Sequence, residues 1–382
     1  MATFPILRRE PPALRRAGAS AKSKPTSLTL FPPAARPGKV EPAGVASGEP
    51  VATSADAGRA PELVGIARLA ASSPRAEAKR GTEYFVLPSR SVLNEIHSER
   101  VPFRWTVNPY RGCEFGCRYC YARYTHEFME LGADDFERKI YVKQDTGGMI
   151  ERDLRAGKAA GEHIAIGAAT DPYQPAEKEF GATRAILDRL VGRKGMSLSI
   201  TTKSNQVVRD IDLLRRISEH SRITVNVTIT TLRPRLARLL EPRAPHPHLR
   251  MEAVRKLREA GISAGVFAMP VIPGLTDREA DLDALAAAAH DAGALWFCAN
   301  TLFLMPASWK TFFDFLEAKF PRLAVRYRDL YRGYGEAPKA YRQEIAERVH
   351  RLQAKYGLGT RPQERIERTP SAQLNLCWNN AG

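Results

Sequence analysis

The chain has 382 residues, of which 43% are hydrophobic and 26% charged, and 58 Lys and Arg against 42 Asp and Glu give a formal net charge of +16. This suits a soluble protein with one large domain or two modest ones, and the lack of any run of eighteen apolar residues argues against a membrane-spanning helix. Five cysteines, an odd number, argue against a disulfide framework and for a reducing compartment, taken here as the cytoplasm.

Residues 1–85 read as a disordered basic arm rich in Pro, Ala, Ser and Arg, as in Pro32-Pro33-Ala34-Ala35-Arg36-Pro37-Gly38, because no apolar periodicity persists there. Arg8, Arg9, Arg15 and Arg16 imitate an organelle transit peptide. Prolines at 5, 11 and 12 spoil the amphipathic helix such a peptide needs, so a solvated tail is expected. The texture changes at Val101. Arg104-Trp105-Thr106-Val107 reads as a short strand ending at Asn108-Pro109, and Cys120 to Leu131 reads as a helix ended near Gly132.

Residues 108–123 join that strand to the helix and read N-P-Y-R-G-C-E-F-G-C-R-Y-C-Y-A-R, with Cys113, Cys117 and Cys120 in a C-x3-C-x2-C cluster. A cysteine acting as a small core hydrophobe has no reason to recur at that spacing, so the three read as metal ligands. Four-thiolate zinc sites usually come as two C-x2-C-like pairs, whereas only Cys298 and Cys377 remain, each alone and far away. A [4Fe-4S] cluster can be gripped by three cysteines while its fourth iron stays open. Gly112 and Gly116 permit tight backbone around the sulfurs, and Tyr119 and Tyr121 flank the third ligand. Zinc completed by His126 is the competing reading.

The C-x3-C-x2-C loop with an aromatic between its last two cysteines resembles that of the radical S-adenosylmethionine (radical SAM) superfamily. The longer string N-P-Y-R-G-C-x-x-G-C-x-Y-C-Y-A-R is similar to the branch related to spore photoproduct lyase, the DNA-repair-photolyase-like proteins. The resemblance implies that the open iron chelates the amino and carboxylate groups of S-adenosylmethionine and that the reduced cluster cleaves its C–S bond. A 5'-deoxyadenosyl radical then abstracts hydrogen from a substrate. It also implies an electron donor such as flavodoxin or ferredoxin, with the protein holding cofactor against substrate.

Strand and helix signals then alternate. The strands are His163 to Gly167, Ser197 to Thr201, Ile223 to Ile229, Ile262 to Met269 and Ala294 to Ala299. Helices are expected over Val208 to His220, Arg233 to Leu240, Arg278 to His290 and from Trp309 onward. With the strand before the cysteines this makes six units and an α/β fold with a parallel sheet. It suits an open, partial (β/α)6 barrel, which the resemblance also implies. The expected organisation is the arm over 1–85, a radical SAM core over 100–305, a C-terminal helical extension over 306–360 and a tail over 361–382.

In parallel barrels chemistry sits at the C-terminal ends of the strands, and that rule selects further candidates. Thr170 and Asp171 follow the second strand, where the superfamily binds the methionine amino group. The usual Gly-Gly-Glu is absent, and Glu177 is a further candidate acceptor. Lys203 follows the third strand, where an ammonium meets a carboxylate. On the fourth, alternation puts Asn226, Thr228 and Thr230 on one face, and a polar face on a buried parallel strand suits cofactor ribose or methionine. On the fifth, the stretch from Val266 to Asp277, with Met269, is similar to the family's apolar adenine shelf, and Tyr119 is expected beside the adenine.

Cys298 reads either as a buried small hydrophobe or, by the resemblance, as a catalytic hydrogen-atom donor. The spore lyase carries its extra cysteine after the second strand, where this chain has Ala168-Ala169-Thr170. Residues 184–258 hold 17 basic and 6 acidic side chains, a concentration that suits nucleic acid as a partner. Tyr327, Tyr331, Tyr334 and Tyr341, interleaved with arginines, cap the barrel or stack on bases. The sequence thus supports a radical SAM enzyme of lyase-like or hydrogen-abstracting type. The alternatives are a non-catalytic zinc- or iron-sulfur-binding nucleic-acid module, or the same cofactor chemistry on a protein or small metabolite.

Overall fold

The computed structural model describes residues 63–79, 81–97, 101–332 and 335–361. The chain divides into two units, residues 1–50 and 51–382; the first lies wholly outside the described residues, and the fold is that of the second. Tyr334, Cys377 and most of the expected tail also lie outside them.

The arm expected over 1–85 is corrected at its C-terminal side. Residues 65–87 form α1 (Gly65–Ser72), β1 (Arg75–Lys79) and β2 (Thr82–Leu87). These elements are short, and they gain their stability from a second sheet rather than from any period of their own. Next come β3 (Leu93–Glu95), β4 (Trp105–Val107) and β5 (Tyr110–Arg111). The single helix expected from Cys120 to Leu131 is instead a 3-10 turn over Tyr121–Arg123, then the four-residue α2 (Tyr124–Glu127). Thr125 turns its hydroxyl back to the Ala122 carbonyl at 2.7 Å and Glu130 adopts a φ of +57°, which ends the helix early.

β6 (Lys139–Lys143) follows, then α3 (Thr146–Arg155), whose N-cap Asp145 accepts the Gly148 N–H. β7 (His163–Ile166), α4 (Ala176–Phe180), α5 (Ala182–Leu190), β8 (Ser197–Thr202), α6 (Ile211–Ser218) and β9 (Arg222–Thr228) keep the expected alternation. α7 (Pro234–Leu240) and α8 (Pro247–Glu259) both start on a proline, which is pre-set for the first helical position. α8 was not expected, although Arg250, Met251, Val254 and Leu257 make a buried face at helical spacing. β10 (Ser263–Val271), α9 (Glu279–Asp291), β11 (Phe297–Thr301), β12 (Phe303–Leu304), α10 (Pro306–Lys319), α11 (Pro321–Tyr331), β13 (Gly335–Glu336) and α12 (Lys339–Tyr356) complete the unit.

The main sheet has seven strands in the order β11-β10-β9-β8-β7-β4-β3. The six from β4 to β11 are mutually parallel, and β3 closes the far edge antiparallel to β4. This is the expected open (β/α)6 arrangement. Its apolar face packs under the helices, with Ile186, Leu214, Val254, Leu285 and Val349 against Ile164, Ile200, Val225 and Val266. On the other face Gly265 leaves room for the buried Trp296, whose ring atoms lie 2.4 Å from where a Cβ would stand. Trp296 Nε1 donates to Asn226 Oδ1 at 3.2 Å, while Asn226 Nδ2 reaches Thr201 Oγ1 at 3.3 Å. That face is polar, as the alternation on the fourth strand suggested.

A second, four-stranded sheet in the order β1-β2-β6-β5 was not expected. It bears on the site because β5, the two residues before the Gly112-Cys113 corner, pairs antiparallel with β6.

Candidate metal centre

The cysteine loop is clamped from several sides. Gly112 carries a φ of +83°, and a Cβ there would stand 2.8 Å from the Phe136 carbonyl and 2.9 Å from that of Lys139, so only glycine fits. Cys113 N donates to Phe136 O at 2.9 Å. The Gly112 carbonyl accepts from Thr170 Oγ1 at 2.6 Å and from Gln174 Nε2 at 3.2 Å. Glu114 donates its N–H to Gln174 Oε1 at 2.9 Å, and its carboxylate accepts from Tyr84 OH and from Ala176 N. The segment after α7 straps the other flank: Arg118 N donates to Leu240 O at 2.9 Å and Arg243 N to Phe115 O at 3.3 Å. The loop's irregular backbone is thereby satisfied by protein groups, as a buried loop requires.

Cys113 and Cys117 are buried, Cys120 is half-buried, and all three are free thiols. Burial pushes each thiol up, Cys117 to about 12. Cys113 is raised further by Asp171, Cys117 and Cys120, so the three sulfurs stand in one another's field. Unmetallated, they are costly to ionise; a bound metal centre reverses this by holding thiolates. Among the described residues no three His, Cys, Asp or Glu side chains converge closely enough to share one ion. A cluster does not require that, because each cysteine takes its own iron. His126, which the zinc reading needs, is buried with Nε2 on the Lys139 carbonyl at 3.0 Å and its ring against Phe136 and Tyr141. The donor set fits a [4Fe-4S] cluster better than zinc.

The strand-end candidates take different positions. Asp171 bridges two loops: Oδ1 accepts from Thr202 Oγ1 and Tyr173 N, and Oδ2 accepts from Lys203 N. Thr170 spends its hydroxyl on Gly112 and Gln174. Both therefore hold the loop, and the side-chain acceptors expected there are largely taken. Glu177 is fully buried and committed to Tyr110, Thr183 N, Arg184 N and Arg209. Lys203 differs. Its ammonium lies 5.7 Å from the centroid of the Tyr119 ring, and burial, which works against its charge, is outweighed by Cys117, Glu241 and Cys120, so its pKa is raised. Thr228 is buried, and Met269 is half-buried with its carbonyl facing Thr230 Oγ1 at 3.4 Å.

Tyr119 is buried, its hydroxyl 3.0 Å from Thr230 Oγ1 and bonded to Glu241, which pairs with Arg250 at 2.6 Å. Sequence reasoning missed Glu114, Gln174, Glu241 and Arg250, since a lone Glu or Arg on a charged stretch carries no local signal. Cys298 Sγ accepts the Arg361 N–H at 3.3 Å, and Arg361 reaches His163 and Ser199. Its described contact is thus with the C-terminal segment rather than with the cysteine loop.

The structure also places the C-terminal tyrosines and the basic segment. Tyr327 and Tyr331 are buried with hydroxyls on Pro273 O and Leu302 O, and Tyr341 bonds Asp277, so they brace the cap instead of offering faces to bases. Several of the basic side chains over 184–258 have partners within the fold, although among the described residues few, such as Arg209 on Glu177 and Arg233 on Asp281, draw on carboxylates from outside that segment. Arg184, Arg209, Arg233, Arg250 and Arg255 are held by carboxylates, and Arg238 and Arg258 by backbone carbonyls. Among the described residues no helix is long and apolar enough to cross a membrane.

The sequence profile described as "Radical SAM superfamily" matches residues 107–286. An uncharacterized protein of Mycobacterium tuberculosis (strain H37Rv) is 35% identical over 307 residues, covering 79% of this chain and 89% of its own length. An uncharacterized protein of Methanocaldococcus jannaschii is 34% identical over 185 residues, covering 48% of this chain and 67% of its own. Among solved structures, a spore photoproduct lyase variant superposes with a TM-score of 0.56 at 14% identity over 72% of this chain and 80% of its own. A double variant of that lyase with bound AdoMet and dinucleoside spore photoproduct superposes with a TM-score of 0.55 at 16% identity over 72% and 79%. At that identity the likeness is one of fold.

Proposed function

The chain belongs to the radical SAM superfamily, and from that premise we propose that it is an enzyme holding a [4Fe-4S] cluster on Cys113, Cys117 and Cys120 and abstracting hydrogen from a substrate. When bound, the cluster supplies the electron for reductive cleavage of S-adenosylmethionine. The observation that carries this is the set of three free thiols, two buried and one half-buried, at the C-terminal end of the first parallel strand, on a loop whose backbone is clamped from both sides.

The chain's own residues bind and orient. Lys203 offers an ammonium with no carboxylate in ion-pair contact among the described residues, suited to a cofactor carboxylate. Asp171 fixes the backbone from which Lys203 projects. Asn226 and Thr228 line the polar face beneath, and Met269 the apolar wall. The cap helices α10 and α11 pack Phe312, Phe315 and Tyr327 into the same cluster of side chains as Cys113 and Cys117, which excludes water on that flank. Nucleic acid remains a candidate substrate class, and salt-dependent retention on DNA or RNA separates it from a protein or small metabolite.

The test is anaerobic purification of the chain and of a Cys113→Ala, Cys117→Ala, Cys120→Ala triple variant, with iron and sulfide counted and dithionite-driven 5'-deoxyadenosine release assayed. About four irons per chain are expected, with release lost in the variant. Zinc, or iron without release, would overturn the catalytic reading in favour of the binding module.

A further inference from the structure

Under the cysteine loop lies a buried charged group that the functions assigned above leave without a role. Glu241 and Arg250 are each 1% exposed and 2.6 Å apart. Glu241 Oε1 accepts from Thr230 Oγ1 at 2.7 Å and from the Tyr119 hydroxyl, so the carboxylate anchors the aromatic ring set between Cys117 and Cys120. Arg250 Nε donates to the Pro245 carbonyl at 2.8 Å, and Nη1, which faces Glu241, also donates to the Thr228 carbonyl at 3.2 Å. On the ring's face sits Lys203, 5.7 Å from the centroid. A fully buried carboxylate and guanidinium, and a half-buried ammonium, therefore lie around the ring set between Cys117 and Cys120.

Charges at such buried positions are weakly screened and act strongly on one another. Burial works against the charge of Glu241, but Arg250 and Lys203 outweigh it and hold its carboxyl below the ordinary carboxylate range. The same charges reach the loop through Tyr119, which lies between Cys117 and Cys120 and carries Glu241 on its hydroxyl and Lys203 over its ring. Reduction of a metal centre adds one negative charge, so a neighbouring carboxylate opposes it and neighbouring cations favour it.

We propose that Glu241, Arg250 and Lys203 together set the reduction potential of the cluster held by Cys113, Cys117 and Cys120, with Glu241 holding it low and Lys203 holding it up. This rests on the cluster reading above. Tyr119 is the positioning residue that keeps the three charges and the loop in fixed relation. Replacing Glu241 leaves the buried Arg250 uncompensated, and removing one partner of a buried pair is costly to the fold. Lys203, which has no ion-pair partner among the described residues, is the safer single substitution.

The experiment is a dithionite titration of the full chain, reconstituted with iron and sulfide and free of S-adenosylmethionine, followed by electron paramagnetic resonance of the reduced cluster. Glu241→Gln is expected to move the midpoint positive and Lys203→Met to move it negative, at iron content equal to that of the parent chain. A Glu241→Gln, Arg250→Met double variant, which restores the balance of charge, is expected to return toward the parent value. A Lys203→Met midpoint equal to the parent's on an intact cluster would overturn the proposal, as would a Glu241→Gln shift in the negative direction. If Glu241→Gln fails to fold, the Lys203→Met and double variants decide the matter. A parent chain that takes up no cluster overturns the functional reading and this inference with it, a result distinct from an unmoved potential.

Discussion

Asp171 Oδ2 accepts the backbone N–H of Lys203 at 2.7 Å, and through that bond the loop after β7 fixes the start of the loop after β8. Oδ1 meanwhile takes the Thr202 hydroxyl at 2.6 Å and Tyr173 N at 2.9 Å. One carboxylate thus stitches two strand ends at the side of the sheet from which the cysteine loop departs.

Asp171→Ala removes all three acceptor contacts at once and leaves the donors to find water. A loss of about 2–4 kcal/mol in unfolding free energy is expected, from about 1 kcal/mol per hydrogen bond, more for a charged acceptor. Equilibrium urea unfolding of the cluster-free chain measures it. A change below 0.5 kcal/mol, on the order of an ordinary surface substitution, would mean that the loops are held by something else.

Gly112→Ala places a methyl against two carbonyls in a left-handed conformation. The backbone must shift, at a cost of about 1–2 kcal/mol for the conformation alone, and the shift passes directly into Cys113. Iron content after anaerobic reconstitution should fall to less than half that of the parent chain. Uptake equal to the parent's would show that the corner tolerates a side chain.

Lys143 is 5% exposed, and burial followed by the nearby Arg111 charge brings its ammonium down to about 7. Because the folded value lies below the unfolded one, the unfolded chain binds more protons between about pH 7 and the ordinary lysine value. Stability should therefore rise with pH across that window, by at most about 5 kcal/mol for a shift of that size. Lys143→Met should flatten the rise and stabilise most at the acid end. Equal slopes of unfolding free energy against pH from 7 to 10 in parent and variant would contradict the assignment.

Cys298 meets Arg361 rather than the cysteine loop. Cys298→Ala is accordingly expected to leave both iron content and 5'-deoxyadenosine release within about twofold, since exchanging a half-buried cysteine for alanine costs little more than lost packing. A tenfold loss of release at normal iron content would tie the thiol to the cofactor step.

The three-thiol loop and the main sheet were both legible in the residues alone. Three cysteines within eight residues stay together in one loop whatever packs around them, and the alternation of strand and helix signals sufficed for six parallel strands. The polar face of the fourth strand was legible for the same reason: a period of two is a local property, and Asn226 does meet Thr201 and Trp296 across it. Tertiary structure alone decided how the loop is held and which charges surround it. Glu114 and Gln174 lie 60 residues apart in the chain yet share a hydrogen bond, and Tyr119 and Glu241 lie still farther apart. Strands as short as β1, β2 and β5 have no stable existence outside the sheet that pairs them. The arginines of 184–258 add up to a basic stretch along the sequence, whereas only the fold decides that Arg184, Arg209 and Arg250 face Asp212, Glu177 and Glu241.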